Sequence, residues 1–145
     1  MKVSTKGRYA LRLMIDLANH DSGDWIALKD ISKRQGISVK YLEQIVNPLS
    51  KTGYLLSARG PHGGYKLAKT PEEYSAGDIL RAIEGSLAPV ACLDTPDNQC
   101  ERYSVCQTIK FWEGLDKVVS EYVDSVSLQQ LADQAKPDDS WDFSI

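Results

Sequence analysis

Ile37-Ser-Val-Lys-Tyr-Leu-Glu-Gln-Ile-Val-Asn-Pro-Leu-Ser-Lys-Thr-Gly53 reads as a helix built to be seen from outside. Ser38 supplies an N-cap and Gly53 a C′ residue, while Val39, Leu42, Ile45, Val46 and Leu49 recur at helical spacing as one buried stripe. Lys40, Tyr41, Glu43, Gln44 and Asn47 fall on the other face. Long hydrogen-bonding side chains gathered in the first two turns suit contact with base edges and phosphates, and Pro48 is expected to tighten or kink the last turn. Most amphipathic helices merely cover a core, so the flanking segments decide the matter.

Upstream, Leu28-Lys-Asp-Ile-Ser-Lys-Arg-Gln35 forms a second short helix with Leu28 and Ile31 turned inward, closed by Gly36. Two short helices joined through a glycine make a helix-turn-helix. Downstream, Tyr54–Ser57 and Gly64–Leu67 are β-prone runs separated by Ala58-Arg-Gly-Pro-His-Gly63, a hairpin whose tip is too rich in glycine and proline to be core. The expected fold is therefore mainly α with a small β wing: a winged helix-turn-helix domain followed by a long dimerisation helix. Such a domain sets its second helix in a major groove and lays its wing along the neighbouring minor groove, where Arg59 and Gly60 are the candidate contacts. A first helix from about Ser4 to Asn19 buries Ala10, Leu13, Met14, Leu17 and Ala18, and its basic opening makes Lys6 and Tyr9 candidate phosphate contacts, ordinary surface roles being the alternative. Trp25-Ile26-Ala27 is expected to add a short strand to the wing.

The overall charge of −3 disfavours contact with phosphates only until the chain is divided. Residues 1–70 hold 12 Lys and Arg against 5 Asp and Glu, whereas residues 71–145 hold 5 against 15, so +7 faces −10. A basic half attracts nucleic acid and an acidic half must point away from it; the same acidic surface also favours solubility. With 145 residues, 42% hydrophobic and 26% charged, the chain suits one ordinary domain or a small domain with an arm. Its first apolar stretch, Tyr9 to Ala18, is interrupted by Arg12 and Asp16, so neither a signal peptide nor a membrane span is expected and the cytoplasm is the expected location. Enzymatic activity is not expected: there is no phosphate-binding glycine motif and no histidine beside a nucleophile in sequence.

A short helix from Ala76 to Glu84, capped by Ser75 and stopped by Gly85, completes the expected DNA-binding domain at residues 1–85. Residues 86–106 form a loop that carries all three cysteines of the chain, Cys92, Cys100 and Cys106. An odd number of clustered thiols in a reducing compartment argues against a structural disulfide. Iron–sulfur, zinc, a thiol switch and incidental cysteines all stay open on spacing alone, as does a fourth ligand: His20 and His62 read as surface residues, whereas Asp94, Asp97, Glu101 or a residue of a partner chain could complete a site. The periodicity then predicts a long helix over residues 105–126, whose stripe of Ile109, Trp112, Leu115, Val119, Tyr122 and Val126 reads as a dimer seam, packing on its own domain being the alternative. Residues 127–145 hold a short last helix, capped by Ser127, and an acidic tail in which Trp141 and Phe143 are candidates to dock. A homodimer of this kind would read a roughly palindromic double-stranded operator.

Ser4-Thr-Lys-Gly-Arg-Tyr-Ala10, Ile31-Ser-Lys-Arg-Gln-Gly-Ile-Ser38, Tyr41-Leu-Glu-Gln44, Arg59-Gly-Pro-His-Gly-Gly-Tyr65 and the three-cysteine loop before a long helix together resemble the IscR-type iron–sulfur regulators of bacteria, over about residues 1–135. The resemblance implies a homodimeric winged-helix transcription factor in which Cys92, Cys100 and Cys106 hold a 2Fe-2S cluster, or a 4Fe-4S cluster as in nitric-oxide-sensing relatives, and cluster state sets promoter choice for iron–sulfur biogenesis or related stress genes. By position, Tyr41, Glu43 and Gln44 would be reading residues and Arg59 the wing residue. A carboxylate such as Glu43 can accept from cytosine while repelling phosphate, which discriminates by exclusion. The chain departs from the family's best-known pattern in having seven residues rather than five between Cys92 and Cys100, and Ile109 where that pattern has a histidine. A cluster-free regulator of cysteine metabolism, a zinc-bound or thiol-redox repressor and a protein-binding adaptor are the alternatives.

Overall fold

Serines at three helix starts and glycines at two helix ends set several of the element boundaries. In the computed structural model, which describes residues 2–95 and 101–135, helix α1 (Thr5–Asn19) begins at Ser4, whose hydroxyl accepts from the Gly7 amide at 3.0 Å. Helix α2 (Leu28–Gln35) stops at Gly36 in the left-handed region, φ 67°. Helix α3 (Val39–Lys51) starts at Ser38, which accepts from the Tyr41 amide at 3.1 Å, and it continues through Pro48. Helix α4 (Ala76–Glu84) opens with a reciprocal capping box in which Ser75 accepts from the Asp78 amide at 2.9 Å and the Asp78 carboxylate accepts from the Ser75 amide at 3.0 Å.

Strands β1 (Leu55–Ala58) and β2 (Gly64–Leu67) pair antiparallel, Leu55 opposite Leu67 and Ala58 opposite Gly64. Segment 25–27 does not extend into a full third strand. It meets the wing at one bridge, Ile26 with Tyr65, through amide-to-carbonyl bonds of 3.0 and 2.8 Å. Glycine is required at position 64 because its φ is 151° and a Cβ there would collide with the Ile26 carbonyl.

The core gathers Ala10, Leu13, Met14 and Leu17 of α1, Ile31 of α2, Leu42, Ile45, Val46 and Leu49 of α3, and Ile79 of α4. Fully burying each of the larger aliphatic side chains contributes about 1.5–3 kcal/mol. Val39 departs from the stripe assigned to it: as the first residue of α3 it projects past the end of the core and is 37% exposed. At the base of the wing the Tyr74 hydroxyl accepts from the Ala68 and Lys69 amides, both at 3.0 Å, and donates to the Tyr54 carbonyl at 2.7 Å.

Helix α5 (Ile109–Ser125) begins four residues later than the periodicity predicts. Tyr103–Val105 form a separate 3₁₀ turn, and Cys106, in extended backbone (φ −69°, ψ 119°), breaks the chain away from it. Helix α6 (Leu128–Ala135) returns to the core, burying Leu128 and Ala132. Its start is stitched to the start of α4: Ala76 N–H donates to the Val126 carbonyl at 2.8 Å and Leu128 N–H to the Tyr74 carbonyl at 2.9 Å, flanking a Ser75–Ser127 bridge. No helix among the described residues is long and apolar enough to cross a membrane. Cys100, Asp97 and the tail with Trp141 and Phe143 lie outside the described residues.

Candidate nucleic-acid interface and cysteine segment

Ser38, Lys40, Glu43, Gln44 and Asn47 stand exposed on α3, as the helical spacing requires. Tyr41 does not share that face fully. It is half-buried and packs edge-on against Tyr9 of α1, ring centroids 5.6 Å apart at 77°, because a tyrosine at that edge of the stripe buries its ring more favourably than it exposes it. The Arg12 guanidinium lies 5.1 Å from the Tyr9 centroid. The two rings tie the basic opening of α1, where Lys6 is half-buried and Arg8 exposed, to the first turn of α3. A protein so built presents both segments in fixed register. Arg59 and Gly60 are exposed at the wing tip, where the Gly63 amide closes the turn onto the Gly60 carbonyl at 3.0 Å. Among the described residues no carboxylate pairs with Arg59 or Lys40, so both cations stay available.

A half-buried ion pair braces the helix-turn-helix from behind. The Asp16 side chain is wholly inaccessible, and Arg34 grips it with Nη2 to Oδ1 at 2.7 Å and Nε to Oδ2 at 2.9 Å. Gln35 adds its amide at 3.0 Å, and Arg12 reaches both the side-chain and main-chain oxygens of Gln35. His20 Nδ1 lies 2.8 Å from the Asp16 carbonyl oxygen. The hydrogen bond to Asp16 holds the Arg34 guanidinium above its ordinary pKa. These contacts pin the last turn of α2 to α1 beside an open cavity of about 430 Å³ lined by Ile15, Asn19 and the same charged groups. The signal for it was a carboxylate between Leu13 and Leu17 on the apolar side of α1, where only a paired charge is tolerated.

In the cysteine segment, Cys92 sits in a 3₁₀ turn (Ala91–Leu93) and Cys106 follows the Tyr103–Val105 turn; both are half-exposed free thiols. The Cys106 thiol is drawn below its usual pKa, chiefly by the Thr108 backbone amide and then by the Thr108 hydroxyl at 3.7 Å. Accessible sulfurs that are bonded neither to each other nor into the core are the soft donors that iron–sulfur clusters and zinc take. Among the described residues no three His, Cys, Asp or Glu side chains already converge on a metal position. His62 is on the wing, His20 is engaged by Asp16, and Asp94 lines a cavity of about 440 Å³ with Arg81, Leu87 and Asp116.

The stripe assigned to the long helix divides between two directions. Val119 turns toward its own domain, lining a cavity of about 100 Å³ with Val3, Leu80, Leu87 and Val123, and Arg81 grips Asp124 at 2.6 and 3.1 Å to hold α5 there. Tyr122 faces outward at 68% exposure, in line with Phe111 at 64% and Val118 at 63%, two residues that the predicted stripe omitted. Ile109, Trp112, Leu115 and Val126 are half-buried. The omitted pair was legible as a second apolar line, since positions 111, 115, 118 and 122 also repeat at helical spacing.

Comparison with known proteins places this geometry among bacterial regulators. The Rrf2 family profile, described as an iron-dependent transcriptional regulator, matches residues 3–134. Protein rrf2 of Nitratidesulfovibrio vulgaris is 41% identical over 131 residues, covering 90% of this chain and 87% of that one. The HTH-type transcriptional regulator IscR of Aliivibrio salmonicida is 39% identical over 131 residues, covering 90% and 77%. The solved structure of CymR, described as the global cysteine regulator of B. subtilis, superposes with a TM-score of 0.76 at 37% identity, covering 94% of this chain and 99% of that one.

Proposed function

This chain belongs to the Rrf2 family of DNA-binding transcriptional regulators, and from that premise we propose that it is a homodimer whose promoter choice is set by an iron–sulfur cluster. The observation that carries the DNA-reading half is the exposed polar start of α3 together with an exposed Arg59 that no carboxylate pairs among the described residues. Ser38, Lys40, Tyr41, Glu43 and Gln44 face a major groove, Arg59 and Gly60 enter the adjoining minor groove, and Lys6 and Tyr9 meet phosphate. The Tyr9–Tyr41 contact supports this reading, because it makes the phosphate-facing and base-facing segments one rigid piece. Replacing Arg59 with alanine is expected to weaken operator binding by about 1–3 kcal/mol in an anisotropy titration. Undiminished affinity would return Arg59 to the ordinary surface.

The exposed line of Phe111, Val118 and Tyr122 supports a partner chain on α5, since large apolar side chains seldom stand together in water without a function. Two copies then present two α3 helices to a roughly palindromic site.

Cys92, Cys100 and Cys106 would hold the cluster, and the free, half-exposed thiols of Cys92 and Cys106 support that assignment. A bound cluster supplies a redox-active, removable charge centre. The chain's own part is mechanical: the Cys106 turn leads directly into α5, so ordering that turn fixes where the dimer helix starts. A 2Fe-2S cluster is the first expectation and a 4Fe-4S cluster the second; iron–sulfur biogenesis or related stress genes are the proposed targets. Protein purified without oxygen is expected to be brown, with stoichiometric iron and sulfide and an EPR signal on reduction. Cys92→Ala is expected to lose all three.

One observation favours a second reading. Ile109 puts an aliphatic, half-buried side chain, which cannot ligate a metal, at the opening of α5, and the chain shares its fold with CymR. Colourless protein after anaerobic reconstitution would establish that reading, a cluster-free or zinc-bound regulator in the cytoplasm.

A further inference from the structure

Glu84 is the last residue of α4, yet its carboxylate lies on the first turn of α1, 80 positions upstream. The Ser4 amide donates to Glu84 Oε1 at 2.9 Å and the Ser4 hydroxyl donates to the same oxygen at 2.5 Å. A Cβ at Gly7 would fall on that oxygen, so the glycine of α1 stands where the carboxylate enters. Ordinary capping does not need this contact. Ser4 already caps the helix through the Gly7 amide, and an exposed Ser4 amide could be satisfied by water. Helix propensity favours alanine over glycine at position 7, so α1 gives up intrinsic stability to admit the carboxylate. The same turn carries Lys6, and Tyr9 follows on the next turn against Tyr41.

We propose that Glu84 is a positioning residue for DNA binding: its carboxylate fixes the first turn of α1 so that Lys6 reaches phosphate. This rests on the reading of α1 as a phosphate-contacting element. Glu84 itself touches no nucleic acid, and its charge is not what matters; the oxygen that accepts from Ser4 is.

The test uses full-length protein and sonicated duplex DNA over a salt series, with thermal melts in parallel. Lys6→Ala is expected to lower the magnitude of the salt slope by about one. Glu84→Ala is expected to lower it by the same amount and to add nothing in the Lys6→Ala background. Gly7→Ala, which keeps the charge of Glu84 but displaces its carboxylate, is expected to match Glu84→Ala and decides the matter should the latter fail to fold. Glu84→Gln, whose amide oxygen still accepts from Ser4, is expected to keep the wild-type slope. An unchanged slope in Gly7→Ala, or additive losses in the double variant, overturns the role of Glu84 while leaving the phosphate contact of Lys6 intact. An unchanged slope in Lys6→Ala alone overturns the reading of α1 and the proposal with it.

Discussion

Replacing Arg34 with alanine is expected to destabilise the protein by about 3 kcal/mol, at the lower end of what breaking a buried ion pair costs. The cost arises on the other partner. Asp16 is wholly inaccessible, and without Arg34 its carboxylate keeps only the Gln35 amide, with His20 Nδ1 at 3.7 Å. A buried carboxylate left with one neutral donor is more expensive than the pair it came from. The lower end applies because Arg34 is itself one-third exposed and the adjoining cavity admits water to the cut face. Against a typical total of about 5–15 kcal/mol, the loss is readily seen as a shifted urea midpoint at constant slope. A change below about 0.5 kcal/mol would class the pair with surface ion pairs and remove it as the brace of α2.

Tyr74→Phe is expected to cost about 2 kcal/mol, although it removes a single oxygen atom. Tyr74 is 1% exposed, and its hydroxyl serves three main-chain groups around the base of the wing. Phenylalanine fills the same space but leaves the Lys69 amide without its acceptor; the Ala68 amide retains only a longer bond of 3.3 Å to the Tyr54 carbonyl. Burial holds the Tyr74 phenol above its ordinary pKa, outweighing the lowering by the Lys69 and Ala68 amides. Stability from this group is therefore complete below the unfolded phenol's value of about 10 and is lost as pH rises through the higher folded one. Amide exchange checks the local effect: the Lys69 amide is expected to lose protection first, and uniform exchange across the wing in both proteins would refute it.

Helices α1 to α4 were legible in sequence because each local instruction agrees with the fold. Ser4, Ser38 and Ser75 cap as their spacing suggests, and Gly36 closes α2 in the left-handed conformation that glycine adopts without strain. The discrepancies share a cause in tertiary context. Val39 fits the apolar period but sits at a helix end with no core beside it. Tyr41 fits the polar face but finds Tyr9 on a helix 32 residues away. Helix α5 carries two apolar lines, and periodicity has no means of saying which one its own domain takes. The Asp16–Arg34 pair and the Glu84–Ser4 contact join residues 18 and 80 positions apart, a separation at which one sequence carries no spacing signal.

The stitch between the start of α4 and the start of α6 turns residues 75–127 into an excursion whose two ends are held together. Closing such a loop grows more costly only with the logarithm of its length, about 0.6 kcal/mol for each doubling. Inserting or deleting a few residues between α4 and α5 is therefore nearly free for the remainder of the domain, whereas a shift of one residue at Ser75 or Ser127 is not. The spacing between Cys92 and Cys106 is thus a thermodynamically cheap variable, one that can change without rebuilding the packed helices on either side of it.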